Sequence, residues 1–168
     1  DKTDRVVEEL RKKNLLTISD GASVVDLDEE KSGMPPCLIL KKDGTTIYAT
    51  RDIAAALYRK ETYDFDKCLY VVAYQQDLHF RQWFKVIEKM GYPWYKDLVH
   101  VAFGMISYEG QSLSTRKGHV LFLEDVLNMA IEKARAIIEE KSPNLENKDE
   151  VARQVGVGAV IYADLQNS

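Results

Sequence analysis

Cysteine is scarce: Cys37 and Cys68 are the only two in 168 residues, and neither has a partner at CxxC spacing. A structural zinc site needs clustered ligands and a disulfide scaffold needs paired thiols, so the pattern argues against both, and the two read as ordinary buried thiols. The three histidines, His79, His100 and His119, are as scattered, and none has a second ligand at metal spacing. No GxGxxG or GxxxxGK[ST] occurs, which removes two common phosphate-cradling loops. No apolar run approaches the ~18 residues that cross a bilayer. The opening Asp1-Lys2-Thr3-Asp4-Arg5 lacks the apolar stretch and cleavage site of a signal peptide, so the expected setting is the cytoplasm, without a membrane partner. A basic excess is missing too: 23 Lys and Arg against 27 Asp and Glu give a net charge of −4. Indiscriminate nucleic-acid binding needs a dominant positive field, so any RNA contact must be local.

What is present is the balance of a folded globular chain, 45% apolar and 30% charged, at a length of roughly one domain. Val6, Val7 and Leu10 recur at helical spacing within 5–13. Ser19-Asp20-Gly21 is turn chemistry between strand-like runs and predicts a hairpin. A second is expected where Asp43-Gly44 separates Cys37-Leu38-Ile39-Leu40 from Thr45-Thr46-Ile47-Tyr48. From Thr50 and Asp52, both good helix starters, Ile53, Ala54, Leu57 and Tyr58 follow a helical period. The unbroken run Leu69-Tyr70-Val71-Val72-Ala73 suits a parallel strand covered on both faces. A helix over 77–90 should bury Phe80, Trp83, Phe84 and Ile87, and 98–103 reads as another strand. Strands alternating with helices imply an open α/β sheet, half of a nucleotide-binding architecture.

The stretch after Gly104, with Gly110, Lys117 and Gly118, is too polar and glycine-rich for regular structure. A long amphipathic helix carrying Val126, Leu127, Ala130, Ile131, Ala134, Ile137 and Ile138 should stop before Pro143. A last helix from near Lys148 should present Val151, Val155, Ala159 and Tyr162 along one face. The ending Leu165-Gln166-Asn167-Ser168, without a capping glycine or polar tail, reads as a cut within a longer protein.

Three places concentrate polar chemistry. In Tyr48-Ala49-Thr50-Arg51-Asp52, at a strand-to-helix junction, an aspartate can take a guanidinium in a planar two-point grip and a tyrosine can add a hydroxyl or a ring face. The plainer alternative makes Asp52 a helix-start carboxylate favoured by the macrodipole. In Tyr74-Gln75-Gln76-Asp77-Leu78-His79, where the apolar strand ends, Gln76 can offer an amide oxygen to an ammonium, and Asp77 and His79 can hold hydroxyls or polarise phosphate; the alternative is a satisfied helix histidine. Ser112-Leu113-Ser114-Thr115-Arg116-Lys117-Gly118-His119 combines small hydroxyls, adjacent cations and a glycine, which suits a departing pyrophosphate or, alternatively, a solvated basic turn.

Four phrases, DGTTIYATRDIAAALYR over 43–59, LYVVAYQQDLHFRQWFKVIEKMGYPW over 69–94, HVAFGMI over 100–106 and LSTRKGHVLFLEDVL over 113–127, occur in an order and spacing that resemble the class I arginyl-tRNA synthetases. The resemblance covers nearly the whole chain and is weakest over the first thirty residues. It implies a largely parallel, Rossmann-like half-sheet with flanking helices and an added hairpin region. On that reading 1–147 is the downstream half of the catalytic domain, with 1–45 an insertion-like part, and 148–168 begins the helices leading to the anticodon-binding domain.

By the same resemblance Tyr48 and Asp52 recognise the arginine side chain, and Gln76 helps hold its α-amino group. Gln75, Asp77 and His79 neighbour arginine and ATP, and Phe103, Gly104 and Met105 lie close to the adenine. Ser114, Thr115, Arg116, Lys117 and Gly118 stand for the class I KMSKS loop that steadies the ATP phosphates, with Thr115 where the second lysine normally sits and the cations displaced to Arg116 and Lys117. The implied reactants are arginine, tRNA(Arg) and ATP with Mg2+, no metal being held by the protein itself, and the full-length enzyme is expected to be a monomer that needs bound tRNA for the first step. The His-x-Gly-His motif with which the family grips ATP is not found in these residues, so the segment alone is expected to be inactive. Two rivals are a non-catalytic module keeping the fold as a scaffold and an unrelated α/β nucleotide-binding protein; the latter should carry the missing glycine-rich loop.

Overall fold

The computed structural model describes residues 2–28, 33–105, 107–108, 111–112 and 122–166, in two compact units, Asp1–Ala102 and Phe103–Ser168. The first opens with helix α1 (Lys2–Lys12), which buries the predicted stripe of Val6, Val7 and Leu10 and carries Asp4 in its first turn and Arg11 and Lys12 in its last, charges that suit the helix dipole. It stops at Asn14, whose φ of 55° is left-handed, with the Leu15 N–H returning to the Leu10 carbonyl at 2.9 Å. Asparagine is one of the few residues other than glycine that tolerates such a stop.

Strands β1 (Leu16–Ser19) and β2 (Ala22–Val25) form the first hairpin. Asp20 and Gly21 both have positive φ, at 49° and 81°, the pairing a two-residue primed turn demands. Strand β3 (Cys37–Leu40) then pairs antiparallel with β2, completing a sheet in the order β1-β2-β3. The second hairpin is only begun. Gly44 turns the chain at φ 80°, and the Asp43 carboxylate accepts from the Thr45 N–H at 2.9 Å and hydroxyl at 2.7 Å. A single bridge, Leu40 to Thr46, follows, because helix α2 (Tyr48–Tyr63) claims Tyr48 before a ladder can grow.

That helix starts two residues earlier than its sequence suggests, and Thr50 does not cap it. Thr50 is fully buried and its hydroxyl donates to the Ile39 carbonyl at 2.5 Å, fastening α2 to β3. Strand β4 (Cys68–Ala73) leads through a single 3-10 turn at Tyr74–Gln76 into helix α3 (Asp77–Lys89), and strand β5 (Leu98–Phe103) lies parallel to β4. The expected α/β arrangement of a parallel pair with flanking helices is therefore present. Helix α3 buries Phe80, Trp83, Val86 and Ile87, Val86 joining the expected stripe while Phe84 stays half-buried. Gly91, at φ 89°, releases the chain after α3, and Pro93 follows, as neither residue continues a helix.

One core serves this unit: Val6 and Leu10 of α1, Val25 and Ile39 of the sheet, Ile53 and Leu57 of α2 and Trp83 and Ile87 of α3 belong to a single buried cluster. Each such side chain contributes ~1.5–3 kcal/mol by leaving water. Cys37 lies in it, and burial pushes its thiol up to about 12, so it is an inert packing residue. Expected burial of β4 on both faces does not occur among the described residues: Leu69 is 59% and Val71 65% exposed, so one face of the strand is open.

In the second unit Ser107–Tyr108 (β6) and Gln111–Ser112 (β7) pair antiparallel, within the stretch expected to hold no regular structure. Helices α4 (Leu123–Lys141) and α5 (Lys148–Gln166) pack on each other, α4 ending before Pro143 as its sequence requires. The face of α5 differs from the expected one: Ala152 and Gly156 are buried, while Val155 and Tyr162 point to solvent. The reason is backbone proximity, since a Cβ at Gly156 would lie 2.7 Å from the Ile131 N and Cα. Small residues on that stripe let the helices touch where a valine stripe would hold them apart. Replacing Gly156 with alanine should force the helices apart and destabilise the pair by about 1–3 kcal/mol, read as a lower urea midpoint; an unchanged midpoint would contradict the close approach.

Candidate functional site

A cleft of about 400 Å3 is lined by Tyr48, Asp52, Val72, Gln76, His79 and Phe80. Its position follows from topology. Val72 stands near the carboxyl end of β4 and Gln76 just beyond it, where ligands meet an open α/β sheet. Tyr48 and Asp52, four residues apart on α2, share one helix face. Gln76, His79 and Phe80 come from the 3-10 turn and the first turn of α3. Four of the residues singled out in the sequence, Tyr48, Asp52, Gln76 and His79, are thereby brought to one opening.

His79 Nε2 lies 2.6 Å from Asp52 Oδ2. The side chains are 28% and 40% exposed, and an ion pair so open to water contributes at most about 1 kcal/mol. It is therefore weak enough to rearrange, yet it orients the Asp52 carboxylate. One oxygen faces His79, and a carboxylate has lone pairs for more than one donor. The macrodipole reading of Asp52 loses force here, because α2 begins at Tyr48 and has no acidic residue in its first turn. Gln76 precedes α3 without making a side-chain cap hydrogen bond, so its amide is not committed to capping. Tyr48 is exposed at the mouth, and the Arg51 guanidinium lies 5.9 Å from its ring centroid, within cation–π range. The site thus offers one carboxylate, one imidazole, one amide and one phenol against two apolar walls, which suits a cationic ligand with a flat head and an amine.

The walls were not singled out in the sequence as site residues. Phe80 reads there as a core position, and it is one, but at the start of α3 it also closes the cleft floor. Val72 belongs to a strand whose sequence shows only apolarity. Of the other expected residues, Gln75 and Asp77 flank Gln76 in the first unit. Phe103, Gly104 and Met105 belong to the second unit, where Gly104 is buried and the other two are exposed. Ser114, Thr115, Arg116, Lys117 and Gly118 lie outside the described residues. Among the described residues no group of three His, Cys, Asp or Glu could hold a metal ion, and no helix is long and apolar enough to cross a membrane.

An alpha/beta frame with a polar cleft at a strand end is what the structure offers, and comparison with known proteins names the family. The family model of tRNA synthetases class I (R), catalytic domain, matches residues 1–168. The chain belongs to this family, the catalytic domains of the arginine-type class I tRNA synthetases. It is 63% identical over its whole length to the arginine–tRNA ligase of Clostridioides difficile (strain 630), of which it covers 29%. It is 59% identical to that of Alkaliphilus metalliredigens (strain QYMF), again over all of this chain and 29% of the relative. The chain thus spans less than a third of the relatives it matches. Among solved structures, Thermus thermophilus arginyl-tRNA synthetase superposes with a TM-score of 0.73 at 22% identity, over 95% of this chain and 32% of the other. Arginyl-tRNA synthetase from Plasmodium falciparum does so with 0.70 at 24% identity, over 99% and 28%. These two likenesses speak to the fold.

The cleft depends on the seating of α2, and the buried Thr50 hydroxyl is what ties that helix to β3. Thr50→Val keeps the shape but leaves the Ile39 carbonyl unpaired, so it should cost about 1–3 kcal/mol in chemical denaturation; full retention of stability would show that the bond does not hold the helix.

Proposed function

We propose that this chain is the part of an arginine–tRNA ligase that receives the amino acid, and that the cleft of Tyr48, Asp52, Gln76 and His79 is its arginine pocket. The observation that carries the reading is the placement of the Asp52 carboxylate, held from one side by His79, inside a cleft at the carboxyl end of β4. A guanidinium is flat and presents paired N–H donors, which a carboxylate accepts two at a time. Tyr48 adds a ring face or hydroxyl, and Gln76 offers its amide oxygen to the α-amino group. His79, held by Asp52, is placed to meet the ribose or phosphate of ATP, with Phe103, Gly104 and Met105 beside the adenine.

Activation then joins an arginine carboxylate oxygen to the α-phosphorus of ATP as the bond to pyrophosphate breaks. In the second step a hydroxyl of the terminal ribose of tRNA(Arg) attacks the arginyl carbonyl and AMP leaves. Mg2+ accompanies ATP as part of the substrate complex and spreads the phosphate charge. No protein nucleophile is needed in either step; positioning and electrostatic stabilisation supply the acceleration. Ser114, Thr115, Arg116, Lys117 and Gly118 form the loop that steadies the phosphates, either cation of the Arg116–Lys117 pair meeting the departing pyrophosphate. The enzyme works in the cytoplasm as a monomer, and the 168-residue segment alone is inactive.

In the full-length ligase, arginine-dependent ATP–pyrophosphate exchange with tRNA present should require Asp52. Removing the carboxylate that accepts the guanidinium should raise the arginine KM on the order of 100-fold in Asp52→Ala. An unchanged KM would refute the pocket, and absence of exchange in the wild type would favour a non-catalytic module. The isolated segment, tested for arginyl-tRNA formation, should give none above background; turnover at the parent's rate would show that it needs no other part.

A further inference from the structure

His100 is a polar residue in the otherwise apolar strand segment Leu98-Val99-His100-Val101-Ala102-Phe103. Its side chain is only 6% exposed, yet it does not line the cleft. Instead it touches the cleft's supports from behind. Its Nε2 lies 2.8 Å from the Val72 carbonyl oxygen, so the imidazole donates to the strand that supplies one wall. Its Nδ1 lies 3.4 Å from Asp77 Oδ1, at the first residue of α3. Its ring stacks on Phe80, with centroids 4.3 Å apart and planes 19° from parallel, and Phe80 is the other apolar wall. Phe80 also meets the His79 ring edge-on at 5.6 Å, and His79 in turn contacts Asp52.

We infer that His100 is a positioning residue for arginine binding: it sets the spacing between the end of β4 and the start of α3, and so fixes Gln76 and His79 against Asp52. The inference rests on the pocket reading above and adds to it a residue that makes no contact with the amino acid. The physical case is that one side chain joins three supports by three different contacts. A hydrogen bond fixes its height relative to Val72, a ring stack fixes the floor, and the Nδ1 edge packs beside Asp77 at the first turn of α3. An apolar residue of the same size reproduces only the stack. Displacements well below 1 Å matter here because a two-point grip on a guanidinium is directional, whereas the apolar core tolerates them.

The test uses the full-length ligase in steady-state aminoacylation, titrating arginine at saturating ATP and tRNA. His100→Phe keeps the stack and removes both polar contacts. It should raise the arginine KM roughly tenfold, the size of one hydrogen bond to a fixed acceptor, with kcat and the ATP KM within about twofold of wild type. His100→Gln places an amide nitrogen near the Nε2 position, and should restore the arginine KM to within about threefold. A role in folding alone would lower the active fraction, and so kcat, at unchanged KM; that pattern in both variants overturns the proposal. It is overturned as well if Asp52→Ala weakens arginine binding while both His100 variants keep the wild-type KM. An unchanged arginine KM in Asp52→Ala removes the pocket reading itself, and the role of His100 with it.

Discussion

Trp83 is sealed from solvent at the centre of the first unit. Tyr70 of β4 meets it edge-on at 5.2 Å, Phe84 at 4.4 Å, and Phe80 lies tilted at 5.9 Å. An indole buries more apolar surface than any other side chain, and losing one from a core costs ~3–5 kcal/mol. Its N–H has no hydrogen-bond partner among the described residues, a cost of ~1–3 kcal/mol that the buried ring area outweighs. The register of α3 on β4 is set by this burial. With α3 seated, Phe80, His79 and Gln76 have fixed positions, and α2 delivers Asp52 opposite them. The cleft is thus a by-product of where one large ring must go.

The sequence makes the elements of the first unit legible wherever a local rule has no competitor. Asp20-Gly21 between apolar runs allows one turn, and the α3 stripe allows one buried face. It misleads where tertiary demand overrules a local preference. Thr50 looks like a helix cap because its hydroxyl can serve a helix start, but the Ile39 carbonyl is a buried acceptor that must be met. Gly156 shows the same in α5, where Val155 and Tyr162 look like the packing residues and the smallest residue wins because the backbones meet. Leu69 and Val71 reveal a further limit, since an apolar run does not by itself say which of its side chains are buried.

For the site, Tyr48, Asp52, Gln76 and His79 stand out as polar groups at strand-to-helix junctions, although Asp52 and His79 each have an ordinary structural use there as well. That they share one cleft is not written in their spacing, as the two pairs are separated by the rest of α2 and all of β4. The contact between His79 and Asp52 is the least legible feature, since each has an ordinary local explanation until the fold sets them 2.6 Å apart. His100 leaves a fainter trace, a polar side chain interrupting an apolar strand, and its use appears only when three neighbours converge on it.

The rings of His100, Phe80, Trp83, Phe84 and Tyr70 form one continuous chain of contacts from behind the cleft into the core. Close-packed aromatic matter is nearly incompressible. A ligand pressing on Phe80 therefore cannot make room by a local yield of the wall. The load passes along the ring chain into the body of α3, which must tilt as a unit or resist as a unit. A cleft built this way has a mechanical stiffness set by its foundations, well beneath its own lining.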